Sequence, residues 1–178
     1  MKSDEQLMDS VGAGDMEAFE TLVRRHQDRA WRIAYHYMGD RDDAAEMAQQ
    51  AFLNILDAAE SYSPSARFTT YLYRVIANLC MDRTRKRSPT LADDLPEETS
   101  GEPMPGRRIV ERERDRAIQE ALEELTDRQR MATVLRYYED LSYREIAEAM
   151  DATPKAVERL LARARKSLGK ELREFGEK

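Results

Sequence analysis

Cysteine is nearly absent. Cys80 stands alone in 178 residues, so no disulfide can close within the chain. Its plainest reading is a small buried apolar residue. With only two histidines, a zinc site would have to combine His26 and His36 with carboxylates, and no metal or other cofactor is expected. Glycine is scarce at seven residues, and none falls in a phosphate-binding loop. Neither a nucleophile paired with histidine nor a metal-ligand cluster is evident, so the chain is not expected to be an enzyme. No apolar run approaches the length of a membrane span. The opening residues MKSDEQLMDS are acidic where a signal peptide would be basic and then apolar, so a cytoplasmic protein is expected. Strand-type alternation and internal repeats are also missing.

Net positive charge is lacking too, at −6 overall, but the deficit is uneven. Residues 1–87 carry 12 basic and 14 acidic groups, residues 88–106 none and 5, and residues 107–178 carry 17 and 16. The stretch 155–173 alone has seven basic groups against two acidic. Affinity for DNA without regard to sequence comes mostly from neutralising phosphates. A chain whose cations are this local should bind free DNA weakly and need a partner to reach its site.

What is present is helical patterning, clearest from Leu141 to Arg173. Ser142 and Glu145 make a capping box that starts a helix at Tyr143, with Ile146, Ala147 and Met150 on one face. Asp151-Ala152 breaks the pattern. Thr153-Pro154 starts a second helix, because proline at the first helical position loses no hydrogen bond. Val157, Leu161, Ala164, Leu168 and Leu172 form its apolar side, while Lys155, Arg159, Arg163, Lys166, Lys170 and Arg173 project elsewhere. Two capped helices, a tight turn and a cationic second helix make a helix-turn-helix that presents a recognition helix to DNA.

Earlier in the chain, Ser3 and Gln6 cap a short helix that ends at Gly12-Ala13-Gly14. Asp15 caps a longer one carrying Phe19, Leu22, Val23, His26, Ala30, Trp31, Ala34 and Met38, stopped at Gly39. His26 lies on that stripe and reads as packed; His36 lies off it and reads as solvated. A third helix opens at Arg41-Asp42-Asp43 and buries Ala44, Met47, Ala48, Ala51, Phe52, Ile55 and Leu56. After the polar loop 61–67, a helix from Phe68 to Arg87 turns Tyr71, Leu72, Val75, Ile76, Leu79 and Cys80 inward. Aromatics and arginines interleave here beside a loop, a composition suited to stacking unpaired bases; Phe68, Tyr71 and Tyr73 read equally as core.

Residues 88–106, with four prolines, two glycines and five acids, read as a flexible linker. Helical patterning resumes from Arg107 to Leu125, and Thr126 or Asp127 caps a further helix carrying Met131, Val134, Leu135 and Tyr138. The expected fold is all-α, with two small helical domains, 1–87 and 107–178, on an acidic tether.

The succession DDAAEMAQQAFLNIL, polar loop, FTTYLYRVIANLCMDRTRKR, linker, and LEELTDRQRMATVLRYYEDLSYREIAEAMDATPKAVERLLARARKSL resembles the extracytoplasmic-function (ECF) sigma factors of the sigma-70 family over nearly the whole chain. The resemblance implies an alternative sigma factor that binds core RNA polymerase and promoter DNA, under control of an anti-sigma factor. It implies polymerase contact by Asp43, Glu46, Gln49, Gln50 and Leu53. For minus-ten DNA it points to Tyr62, Ser63, Pro64, Ser65, Arg67, Phe68, Tyr71, Arg74, Asn78, Arg83, Arg85 and Lys86. For minus-thirty-five DNA it points to Tyr143, Arg144, Thr153, Lys155, Glu158, Arg159, Arg163 and Lys166. Gln50 replaces the acidic residue usual after the Ala-Gln pair, Tyr71 stands where tryptophan is common, and Val157-Glu158-Arg159-Leu160 departs from the family's frequent Val-Lys-Ser-Arg. The alternative is a polymerase-independent helix-turn-helix regulator, which leaves the helix at 42–56 and the aromatic-arginine segment without a task.

Overall fold

The computed structural model describes residues 2–63, 66–87 and 108–176, with side chains in the last segment from 116 to 169. The linker expectation therefore lies outside the described residues, as do Pro64 and Ser65. All regular structure among the described residues is helical. In order it comprises α1 (Asp4–Gly12), α2 (Met16–Met38), α3 (Arg41–Asp57), a single 3-10 turn (Ala59–Ser61), α4 (Phe68–Arg87), α5 (Arg108–Glu123), α6 (Asp127–Tyr137), α7 (Tyr143–Ala149) and α8 (Pro154–Gly176).

Local chemistry sets the helix ends. Reciprocal capping boxes form at Ser3–Gln6, Thr126–Gln129 and Ser142–Glu145, each satisfying two amide donors that the helix cannot. The carboxylates of Asp15 and Asp40 each accept from two amides at the starts of α2 and α3. Gly39 ends α2 at φ 76°, a left-handed conformation that favours glycine. Between α7 and α8 the chain turns through Asp151 at φ 48°, and the Thr153 hydroxyl accepts from Ala156 N–H to start α8.

In the N-terminal half α2, α3 and α4 pack together, and α1 seals one end. Gly12 lets α1 approach the 3-10 turn, since a Cβ there would stand 2.7 Å from the Ala59 carbonyl oxygen. Glu5 ties α1 to the start of α4 by accepting from Phe68 N–H at 2.9 Å, a bond that holds its carboxyl below the usual range. Asp4 is partly desolvated, yet bonds from Arg25 and His26 outweigh that and also lower its pKa. His26 is buried on the apolar stripe, with its ring 5.2 Å from that of Phe68. In the C-terminal half, Val157 and Leu161 of α8 pack with Ile146 and Ala147 of α7 and Met131 and Leu135 of α6.

The two halves are docked. One apolar cluster runs from Leu7 through Cys80 and on through Met131 to Leu161, with α7 against α4 and α6 against both α2 and α4. Burial pushes the Cys80 thiol up to about 12. Arg130 joins the halves from within: it is 9% exposed and donates to Leu122 O and Glu123 O at the end of α5, both at 2.9 Å, and to Tyr37 O near the end of α2 at 3.3 Å. One guanidinium thus caps two helix C-termini, where the backbone leaves carbonyls unsatisfied and the dipole favours a cation. Docking also corrects the expectation for His36, which is half-buried with its ring stacked on Tyr138, the centroids 3.5 Å apart. The C-terminal half covers a residue that α2's own periodicity places outside.

Candidate polymerase and promoter interfaces

The α2–α3 face carries an apolar cleft of about 470 Å³ lined by Phe19, Val23, Trp31, Ala48, Phe52 and Leu53, with Gln27, Asp28 and Gln49 at its polar edge. Leu53 is 44% exposed at the margin of this cleft. Periodicity put Phe19, Val23 and Trp31 on the core stripe of α2; they are half-buried, packed against the core and at the same time lining this cleft. Of the residues implied for polymerase contact, Gln49 and Leu53 line the cleft, whereas Glu46 and Gln50 are exposed on α3 without lining it. Asp43 is engaged elsewhere. Its side chain is 12% exposed, and its two oxygens face the Arg87 guanidinium, with Arg83 3.4 Å away. Arg83 also donates to Glu46 at 2.9 Å. Asp43 and Glu46 therefore anchor the end of α4 onto α3.

The minus-ten set divides in the same way. Tyr62, Ser63, Tyr71 and Arg74 line a polar pocket of about 200 Å³ with Ser61, Ala66 and Thr70. The Tyr62 and Tyr71 rings lie 5.2 Å apart and tilted by 48°, and burial raises both hydroxyl pKa values. The Tyr62 hydroxyl is buried and makes no hydrogen bond to any described residue. Arg67 and Asn78 are exposed beside this region. Phe68 is the correction: it is fully buried, committed to the core beneath α1 and α2, and presents no face to a base. Arg83 and Arg85 are in ion pairs with acids of α3 and α4, and Lys86 is exposed.

In the minus-thirty-five set, Thr153, Lys155, Glu158, Arg159, Arg163 and Lys166 are all exposed on α8 and its cap. Arg159 and Arg163 share a groove with Arg128, which sequence reasoning missed. Arg128 donates to Met150 O at 3.3 Å, closing the end of α7, and no local pattern marks that role. Tyr143 is half-buried with Arg136 over its ring, and Arg144 is exposed and paired with Glu148 at 3.3 Å. The side chains of Lys170 and Arg173 lie outside the described residues. The Ser142 hydroxyl and amide hold the Glu145 carboxyl below its usual pKa, keeping the cap ionised.

Comparison with known proteins supplies a lineage for the chain. The model for Sigma-70 region 2 matches residues 22–90, and that for Sigma-70 region 4 matches residues 115–168. The ECF RNA polymerase sigma factor SigW of Bacillus subtilis is 30% identical, over 93% of this chain and 94% of that protein. The ECF RNA polymerase sigma factor SigE of Mycolicibacterium smegmatis is 31% identical over 86% of this chain and 61% of its own length. A solved structure of CnrH in complex with the cytosolic domain of CnrY shares the fold at a TM-score of 0.74 and 23% identity, covering 97% of this chain and 99% of that one. With both regions matched in order and full-length likeness to SigW, the chain belongs to the ECF sigma factors of the sigma-70 family.

Proposed function

We propose that this chain is an alternative sigma factor that docks on core RNA polymerase through the α2–α3 cleft and directs initiation at promoters read by α4 and α8. It supplies recognition to an enzyme and carries no catalytic step of its own. The observation that bears most of the weight is the cleft: an apolar surface with Leu53 exposed at its margin suits an amphipathic helix of a protein partner. An inhibitor that covered this cleft would keep the chain from polymerase, which is how we expect an anti-sigma factor to act.

At the promoter, the Tyr62–Tyr71 pocket beside Arg74 supports capture of an unstacked minus-ten base. Extruding a base costs a few kcal/mol, and aromatic stacking of about 1–3 kcal/mol per base offsets it. On α8, Arg159 and Glu158 are exposed where an arginine can bind guanine by two hydrogen bonds and a glutamate can accept from cytosine. Lys155, Arg163 and Lys166 suit phosphate contacts, which orient the helix without reading sequence.

The deciding experiment is co-elution of the chain with core RNA polymerase, repeated with Leu53→Glu and Gln49→Ala. These sites lie on the cleft and leave the Asp43–Arg87 anchor intact. A complex weakened most by L53E is expected. No complex at all, together with a symmetric footprint on duplex DNA, would favour the polymerase-independent regulator instead.

A further inference from the structure

Glu139 is the most telling acid outside the proposed interfaces. It follows α6, its side chain is only 3% exposed, and its partners come from the other half of the molecule. Arg32 of α2 donates to Oε1 at 3.0 Å. The Arg29 Nε lies 3.1 Å from Oε2 as an ion pair, off the line of a hydrogen bond. Tyr73 of α4 is buried against the same group of charges. Across the same junction, Arg74 donates twice to the Glu148 carbonyl oxygen, from Nε at 3.3 Å and Nη2 at 3.0 Å. Arg74 belongs to the proposed minus-ten pocket, and Glu148 lies on the first helix of the helix-turn-helix.

This junction cannot persist on a promoter. The two elements are roughly 25 base pairs apart, on the order of 85 Å at 3.4 Å per pair. Here the residue offered to one element is bonded to the helix that serves the other. The 20 residues from 88 to 107 could reach about 70 Å when extended, so the chain is long enough to part the halves. The ionic part of the junction favours reversibility, against the apolar cluster that continues across it. A carboxylate and two guanidiniums taken out of water lose hydration that their attraction only partly repays, and each recovers it on separation.

We propose that Glu139 with Arg29 and Arg32 is a latch that holds the free chain closed, seating α7 on the proposed promoter-melting face of α4 so that the two promoter elements cannot be read together. The inference rests on the promoter assignments proposed above. Binding to polymerase has to break the latch, and the apparent affinity is lowered by the fraction of chain that is closed.

Energy transfer between dyes on Asp9→Cys and Ser167→Cys, exposed positions on opposite halves, reads the closure directly in the full chain. Cys80 is buried with a raised thiol pKa and stays unlabelled. The free chain should give high transfer. Glu139→Arg, which places a third cation against Arg29 and Arg32, should lower it and tighten binding to core polymerase at least about threefold. Glu139→Ala should act in the same direction without adding a charge. The triple swap Arg29→Glu, Arg32→Glu, Glu139→Arg should restore both values, which a mere folding defect would not allow. Equal low transfer in the free wild-type chain and E139R, or opening with no gain in polymerase affinity, would overturn the latch. If neither form binds polymerase, the sigma reading fails, while transfer in the free chain still decides whether the latch exists.

Discussion

Arg130→Met isolates what a buried guanidinium contributes to this fold. Methionine keeps much of the apolar stem but removes all three donors to Leu122, Glu123 and Tyr37. Hydrogen bonds to a charged donor contribute roughly 1.5–3 kcal/mol each, but a carbonyl near a helix end can recover water when its partner goes. The two bonds to α5 act within the C-terminal half, so we expect its stability to fall by about 3 kcal/mol. The bond to Tyr37, with the guanidinium 5.3 Å from that ring's centroid, acts across the junction and should weaken docking as well. For a chain of this length the intrinsic loss corresponds to a midpoint roughly 6–12 °C lower. Urea and thermal unfolding of the intact chain, followed by circular dichroism, test this. Arg130→Lys should rescue only part, because an ammonium cannot span three divergent carbonyls. A loss under about 1 kcal/mol for R130M would refute the assignment of Arg130 as a dual helix cap.

Arg159→Ala should reduce promoter-dependent transcription roughly 5- to 150-fold, the equivalent of about 1–3 kcal/mol for a bidentate base contact, while polymerase co-elution is unchanged; equal losses in both assays would contradict it. Gly12→Ala should destabilise the N-terminal half by about 1–3 kcal/mol, because its methyl meets backbone oxygen that cannot rotate away, and a neutral urea midpoint would show that α1 slides freely. Glu5 has a folded pKa below 4.5, so its contribution is present above the unfolded value and is lost as pH falls through the folded one. Acid unfolding of Glu5→Ala should accordingly show a shallower dependence on pH below about 4.5 than wild type, and identical slopes would remove Glu5 from the acid response.

Much of the helical framework was legible because its signals are local. The capping boxes at Ser3 and Ser142 join residues three apart, the cap narrowed to Thr126 or Asp127 is Thr126, and the stop at Gly39 and the start at Pro154 concern a single backbone conformation each. A helical period also sufficed to bury Leu22, Ala30, Ile76, Val157 and Leu161. Motif order carried the family, since both halves keep recognisable runs in succession. The same period could not separate core from cleft: Trp31 and Phe19 share a stripe with Leu22, and only the placing of α3 beside α2 leaves them half-open.

What the tertiary structure alone decided are the pairings between distant parts of the chain. Arg32 and Glu139 are 107 residues apart, Arg130 and Tyr37 are 93 apart, and Arg87 and Asp43 are 44 apart. Composition presents each as one more surface charge among many, and a charge is distinguished only by burial and by the partner that burial supplies. Phe68 illustrates the converse, because an aromatic beside a loop suits a stacked base until α1 and α2 close over it. The caps follow from bonds that each segment makes with itself; the latch, the anchor and the cleft follow from how the helices pack.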